Sequence, residues 1–350
     1  LQFRTQKWVF MEQINHKIEL LTRLKDYMLS NDEDWLSIQS LAINKNSWFT
    51  QEHISAAIAS IANNYLVKED LIAWCAQYKL SASNKVLGIV MAGNIPIVGF
   101  HDFLCGFLAG YQLKIKLSSK DAILLPHLIA KLIHWDAALK STIEIAEQLK
   151  DCDLYIATGS DNSARYFETY FSKYPSIIRK NRTSVAVLSG HETDEAIALL
   201  AKDVFQYYGL GCRNVTQLLV PKDYNFEPLL KAFNAFSYVM NHHKYKNNYD
   251  YHLAIYLLNK VPYMSNDCLL MVENDLPFSA VSVLHYKYYN TQQEVENYLQ
   301  NNESIQCAVG NNLIPFGDAQ NPSLHEYANK FYMDFIRIGS ENKRNLYKII

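Results

Sequence analysis

Residues 86–91, Val-Leu-Gly-Ile-Val-Met, form an unbroken apolar run that stops at Ala92-Gly93-Asn94-Ile95-Pro96; apolar residues then resume at helical spacing over residues 98–108. A short apolar run closed by turn residues is the mark of a strand covered on both faces, as in parallel sheets. The pattern then recurs. Alternating residues 112–117 lead to a helical stretch over 121–138, and residues 154–157 lead through Thr158-Gly159-Ser160-Asp161 to a helix candidate over 163–174. Residues 185–188 are a further strand candidate. Strand, turn and helix repeated in this order predict an α/β fold built on a parallel sheet. In such sheets ligands bind at the carboxyl ends of the strands, where Gly93-Asn94, Ser118-Ser119 and Gly159-Ser160 all fall.

The first 80 residues read differently. Ile14, Ile18, Leu21, Leu24 and Met28 make one stripe of an amphipathic helix, and residues 51–64 and 68–78 continue the helical pattern. The second half opens with a helix candidate over 193–208, ending at Gly-Leu-Gly-Cys-Arg-Asn (209–214), followed by a strand over 216–220. Residues 241–251, rich in His, Lys, Asn and Tyr, are expected to form an exposed loop.

Composition narrows the function classes. With 33 Lys+Arg against 35 Asp+Glu, the formal charge is −2, which argues against a nucleic-acid binder. The longest uncharged run, residues 86–100, is 15 residues long and broken by Gly93-Asn94 and Pro96, too short for the roughly 20 residues of a membrane span. The 6 cysteines lie scattered with no CxxC pair, and no secretory signal is visible, so a reducing cytoplasm is expected. The chain opens on Leu1 instead of Met, which leaves room for a longer N-terminus. His242, His243 and His252 have no further ligand at a workable spacing, so no metal is expected.

Gly is scarce at 12 residues, and 2 of these flank Cys212 at positions 209 and 211. A thiol in such a turn is a candidate nucleophile, with Arg213 a candidate source of positive charge; the other reading is a small core hydrophobe. Asn94 is a candidate oxyanion donor or an asparagine satisfying its own turn. Gly159-Ser160 could set a helix N-terminus against a phosphate, although the GxGxxG fingerprint is absent. Lys114, Lys116 and Lys120 with Ser118-Ser119 make a basic patch for ribose or phosphate, or a solvated edge.

In this order the pieces MAGNIP (91–96), TGSDNSAR (158–165), GLGCRN (209–214) and FGDAQNPSLHEYA (316–328) resemble the aldehyde dehydrogenase superfamily, and within it the LuxC-type fatty acyl-CoA reductases. The resemblance runs over residues 85–329 and more loosely over the N-terminal helices, including Ser47-Trp48-Phe49-Thr50. It implies an aldehyde dehydrogenase-like fold: a helical region (1–80), a cofactor-binding α/β domain (81–188), a catalytic α/β domain (189–310) and a C-terminal return segment (311–350). At 350 residues the chain is short for that fold, which implies trimmed loops and oligomerisation arm, or an incomplete N-terminus.

By the same resemblance Cys212 is the nucleophile and Asn94 the side-chain oxyanion donor. Lys116 holds the adenosine ribose, Gly159 and Ser160 lie beside the cofactor pyrophosphate, and Glu273, four residues before Pro277, binds the nicotinamide ribose. Ser119 stands where many NAD-dependent relatives carry a glutamate, which with Lys120 points to NADPH. Hydrolytic relatives carry a general-base glutamate upstream of the cysteine. Here residues 176–184 hold Arg179, Lys180 and Arg182 and no carboxylate, leaving Glu192 and His191 as candidate proton-transfer groups. A missing water-activating base implies an acylating enzyme with coenzyme A as leaving group. The expected substrate is an acyl-CoA or acyl-carrier thioester, and the assembly a homo-oligomer or part of a reductase complex. Two other readings stay open: a hydrolytic NAD(P)-dependent aldehyde dehydrogenase, and a non-catalytic subunit of a reductase complex.

Overall fold

A computed structural model describes residues 2–78, 80 and 83–327, which fall into two compact units divided after residue 180, with the chain from 322 going back to the first. The first unit opens with four helices, α1 (Gln2–Met28), α2 (Glu33–Lys45), α3 (Gln51–Asn64) and α4 (Lys68–Gln77). The stripe predicted on α1 is buried throughout, from Ile14 to Met28. Thr50 starts α3 by accepting from the His53 N–H at 3.1 Å. Asp32 does the same for α2, accepting from Trp35 N–H at 3.2 Å. Helix α2 has no counterpart in the sequence reading because Gln39 interrupts its apolar face; Gln39 is nonetheless buried with Trp35 and Ala42.

These helices share one hydrophobic core with the sheet that follows. The alternation runs β1 (Val86–Val90), α5 (Phe100–Leu108), β2 (Gln112–Lys116), α6 (Leu124–Trp135), β3 (Ile143–Ile145), β4 (Leu154–Thr158), α7 (Asp161–Phe171) and β5 (Ser176–Arg179). All pairings are parallel, in the order β3-β2-β1-β4-β5. The order reverses between β1 and β4, the switch point at which a doubly wound sheet opens a crevice. Every residue of α5 is buried, including Asp102, whose carboxylate takes both its oxygens to Arg179 Nη1 at 2.8 and 2.9 Å. Residues 176–179 form the edge strand β5, and Arg179, itself partly exposed, is committed to an ion pair with the buried Asp102.

The second unit, residues 181–321, contains β6 (Thr183–Val187), α8 (Asp194–Phe205), β7 (Val215–Pro221), α9 (Glu227–Phe233), α10 (His243–Asn259), β8 (Met264–Ser265), β9 (Leu270–Glu273), β10 (Val283–Tyr289), α11 (Gln292–Gln300) and β11 (Ile305–Gly310). Its sheet runs β11-β6-β7-β10-β9-β8, parallel except for the β8–β9 pair. A last short helix, α12 (Leu324–Tyr327), belongs to the first unit. The part of the return segment beyond residue 327 lies outside the described residues, as does Ala328 of the last motif.

Two expectations are corrected. The division expected at residue 188 would leave residues 183–187 with the first sheet, but β6 pairs with β7 and β11 and belongs to the second. An apolar strand carries no sign of which sheet it joins. Residues 241–251 are no loop, since all from His243 onward lie in α10. Tyr245 and Tyr249, one helical turn apart, are buried, and their hydroxyls are satisfied by Cys268 O at 2.9 Å and Ser265 Oγ at 2.8 Å. Tyrosine with a polar partner is a core residue, which a polar-looking composition conceals.

Candidate active site

The turn that presents Cys212 is built around strain. After α8 the chain places Tyr207, Tyr208 and Gly209 in succession at φ of 53°, 56° and 76°. Each tyrosine in this left-handed region costs about 1–2 kcal/mol. Packing offsets the cost: both rings are buried, and Tyr208 lies against His242 with centroids 4.5 Å apart. Next, Asn214 N–H donates to Gly211 O at 3.0 Å, closing a turn with Cys212 and Arg213 at its corner.

Asn214, fully buried, braces both segments. Its Oδ1 accepts from Gly211 N–H at 2.8 Å, and its Nδ2 donates to Asp203 O at 2.9 Å and Gln206 O at 2.7 Å. Replacing Asn214 by alanine orphans these groups and is expected to cost about 2–4 kcal/mol in urea denaturation. A loss below about 0.5 kcal/mol would contradict the bracing role.

Cys212 itself is half-buried, and its carbonyl accepts from Ser184 Oγ at 3.1 Å. Arg213, offered from sequence as a charge beside Cys212, is buried and donates from Nη1 to Ala319 O at 3.2 Å. Its guanidinium faces Cys307, whose thiol is pushed up by burial and pulled back by Arg213 and Ser184. Asp203, 1% exposed, holds the following segment by accepting from Gly317 N–H at 2.7 Å and Ala319 N–H at 3.1 Å. Burial pushes its carboxyl up to about 7 against those two donors.

Glu273, at the end of β9, is exposed and pairs in register with Tyr286 of β10. The segment after it lies beside β7, where Gln217 Nε2 donates to Asn274 O at 2.9 Å and Thr216 Oγ1 to Pro277 O at 2.6 Å. Cys212 and the segment from Glu273 to Pro277 thus both connect to the start of β7. Glu192 is tied to its own turn, accepting from Ser189 N–H, from Ser189 Oγ at 2.8 Å and from Gly190 N–H at 3.2 Å. His191 is exposed in the same turn.

In the first unit, Asn94, Gly159 and Ser160 follow the neighbouring strands β1 and β4 at the switch point. Lys116 ends β2 on the other side of β1, its Nζ donating to Glu147 O at 2.6 Å; Met91 N–H donates to Lys116 O at 3.0 Å. Ser119 and Lys120 are exposed in the turn beyond. At the end of β4, Thr158 Oγ1 is buried with no hydrogen-bond partner among the described residues. Only glycine fits at 159, because a Cβ would come within 2.9 Å of Ser163 Cβ, so α7 begins at once with Ser160 as its cap. A helix N-terminus, an unsatisfied hydroxyl and exposed Ser119-Lys120 together suit a phosphate-bearing, ribose-bearing cofactor.

Two residues with structural weight escaped the sequence reading. Asp121 only opens the helical stretch 121–138 there, and Asp102 only falls within the stretch 98–108. Neither has a spacing signal, since each acts on a backbone or side chain far along the chain. Among the described residues no group of three or more His, Cys, Asp or Glu could hold a metal ion. No described helix is long and apolar enough to cross a membrane.

This architecture is the aldehyde dehydrogenase fold. The aldehyde dehydrogenase KauB from Pseudomonas aeruginosa aligns with a TM-score of 0.64 at 12% identity, over 87% of this chain and 74% of that one. An NAD-dependent aldehyde dehydrogenase from Sinorhizobium meliloti gives 0.64 at 12% identity, over 85% and 70%. A mutant of the P. syringae indole-3-acetaldehyde dehydrogenase AldA, solved with NAD+ and IAA, gives 0.63 at 11% identity, over 87% and 74%. A comparison with curated protein sequences gives no match. Residues 48–229 match the family described as acyl-CoA reductase (LuxC), and the chain belongs to that family. It is accordingly an oxidoreductase of the aldehyde dehydrogenase superfamily, acting at the aldehyde level.

Proposed function

We propose that the protein reduces a fatty acyl-CoA, or a related acyl thioester, to the aldehyde at the expense of NADPH, through an acyl group carried on Cys212. The observation that supports this most is the strained, Asn214-braced turn that sets a half-buried thiol at its corner. The Cys212 thiolate attacks the thioester carbonyl, with Asn94 and the Cys212 backbone N–H donating to the oxyanion. The carbonyl re-forms as the bond to the coenzyme A sulfur breaks; that thiolate takes up a proton, leaving a new thioester on Cys212. NADPH, when bound, supplies a hydride to this carbonyl. The resulting oxyanion is held by the same donors until the bond to Cys212 Sγ breaks, releasing aldehyde and the thiolate. Per turnover one acyl-CoA, one NADPH and one proton become aldehyde, free coenzyme A and NADP+.

Two features support a scheme without a water-activating base: residues 176–184 carry no carboxylate, and Glu192 is held by its own turn. Lys116, Ser119, Gly159, Ser160 and Glu273 are proposed to bind the cofactor, and the homo-oligomer expected from the resemblance belongs to the same proposal. The test is NADPH oxidation across acyl-CoA chain lengths with free thiol measured in parallel. One coenzyme A released per NADPH oxidised is expected; acid formation from an aldehyde and NADP+ without coenzyme A, at a comparable rate, would refute it.

Ser119 allows a sharper test of the cofactor. A carboxylate at this exposed position would hold a ribose 2′-hydroxyl and repel a 2′-phosphate. Ser119→Glu is expected to shift the ratio of kcat/KM for NADPH over NADH by about a hundredfold towards NADH. A wild type that already prefers NADH would contradict the NADPH assignment.

A further inference from the structure

The side chain of Asp121 is buried in the connection between β2 and α6, with 8% exposure. Its Oδ2 accepts from Ile97 N–H at 2.6 Å, while Oδ1 is buried with no hydrogen-bond partner among the described residues. Burial pushes this carboxyl up to about 6, against the pull of the Ile97 N–H. A buried carboxyl spent on a single backbone donor is a costly brace, and such a group calls for a reason beyond stability.

The reason lies in what Ile97 carries. It is β-branched yet sits at φ 54°, in the left-handed region, immediately after Pro96, which has no N–H to offer. Pro96 therefore offers the turn 94–97 no N–H immediately before the residue that takes up the left-handed conformation. At its other end Gly93 lies against the same loop that carries Asp121: a Cβ there would fall 2.6 Å from Ser118 Oγ and 3.1 Å from Asp121 N. Asp121 N–H in turn donates to Ser118 O at 3.1 Å, so loop 118–121 is itself closed. The segment bearing Asn94 is thus gripped at both ends by the loop bearing Ser119.

We infer that Asp121 is a positioning residue: through the Ile97 N–H it fixes the turn that aims Asn94, and ties that turn to the loop 118–121. The inference rests on the oxyanion role proposed for Asn94. Its consequence is that the oxyanion donor and the proposed ribose-binding loop share one rigid mount, so that disturbing either displaces both.

The test compares Asp121→Ala with Asp121→Asn, which keeps an oxygen acceptor for Ile97. Amide hydrogen exchange reads the brace without any turnover: in Asp121→Ala, protection at Ile97 is expected to fall at least about tenfold, and Asp121→Asn to keep most of it. In NADPH oxidation with acyl-CoA, Asp121→Ala is expected to lower kcat by about a hundredfold with KM changed by less than about threefold. Asp121→Asn is expected to recover kcat to within about fivefold of the parent. Loss of protection at Ile97 with kcat unchanged would overturn the inference, as would an Asp121→Asn protein as slow as Asp121→Ala while Ile97 stays protected. If the parent protein shows no acyl-CoA reduction, the functional reading fails on its own, and the exchange arm still reports whether Asp121 holds the turn.

Discussion

Replacing Cys212 by alanine is expected to lower acyl-CoA-dependent NADPH oxidation by about ten-thousandfold or more, to the background of the assay. The fold should survive the change. The hydrogen bonds that shape the turn run through the Gly211 and Asn214 backbone, the Asn214 side chain and the Cys212 carbonyl, all of which alanine preserves. Cys307 serves as the control. It sits near the same turn, sharing Ser184 as a neighbour through a 3.0 Å contact, but burial holds its thiol up in the unreactive form. Cys307→Ala is expected to leave the rate within about threefold of the parent. If Cys212→Ala kept substantial activity, or if Cys307→Ala lost as much, the nucleophile would have been misassigned.

Asn94→Ala carries the second large effect. A preorganised side-chain donor to a developing oxyanion is worth about 10²–10³ in kcat, and little in ground-state binding. A fall of that size with KM nearly constant is expected, and Asn94→Asp should be at least as slow because a carboxylate would repel the oxyanion. The half-buried Asn94 stands between the buried Gly93 and the strained Ile97, on a turn whose shape is set by backbone and by Asp121. Truncation beyond Cβ therefore removes the donor and leaves its mount. A parallel loss in KM and kcat would point instead to a collapsed turn.

Much of this was legible in the chain. The unbroken run over residues 86–90 gave β1 because a strand covered on both faces needs apolar residues at every position, and the stripe on α1 named its buried face outright. Sparse glycines pointed to the turns after β1 and β4 and to the approach to Cys212. Other features had no local signature. Left-handed Tyr208 is stabilised by its ring packing on Tyr245 of α10, an element hidden by its polar composition, and on His242 at that helix's cap. Asp121, Asp102 and Asp203 act on partners 24, 77 and 114 residues away, a separation that no short-range pattern encodes. The allocation of β6 to the second sheet likewise depends on pairing with β7 and β11, which lie downstream.

The central claim is that the acyl group passes through Cys212, and it is tested most directly by intact-protein mass spectrometry after mixing with a fatty acyl-CoA in the absence of NADPH. The account predicts one added acyl mass per chain, mapped by proteolysis to the peptide containing Cys212, lost on addition of NADPH with aldehyde appearing in equal amount, and missing from Cys212→Ala. An unmodified chain that still reduces acyl-CoA when NADPH is supplied, or an acyl group found on Cys307 or elsewhere, would contradict it.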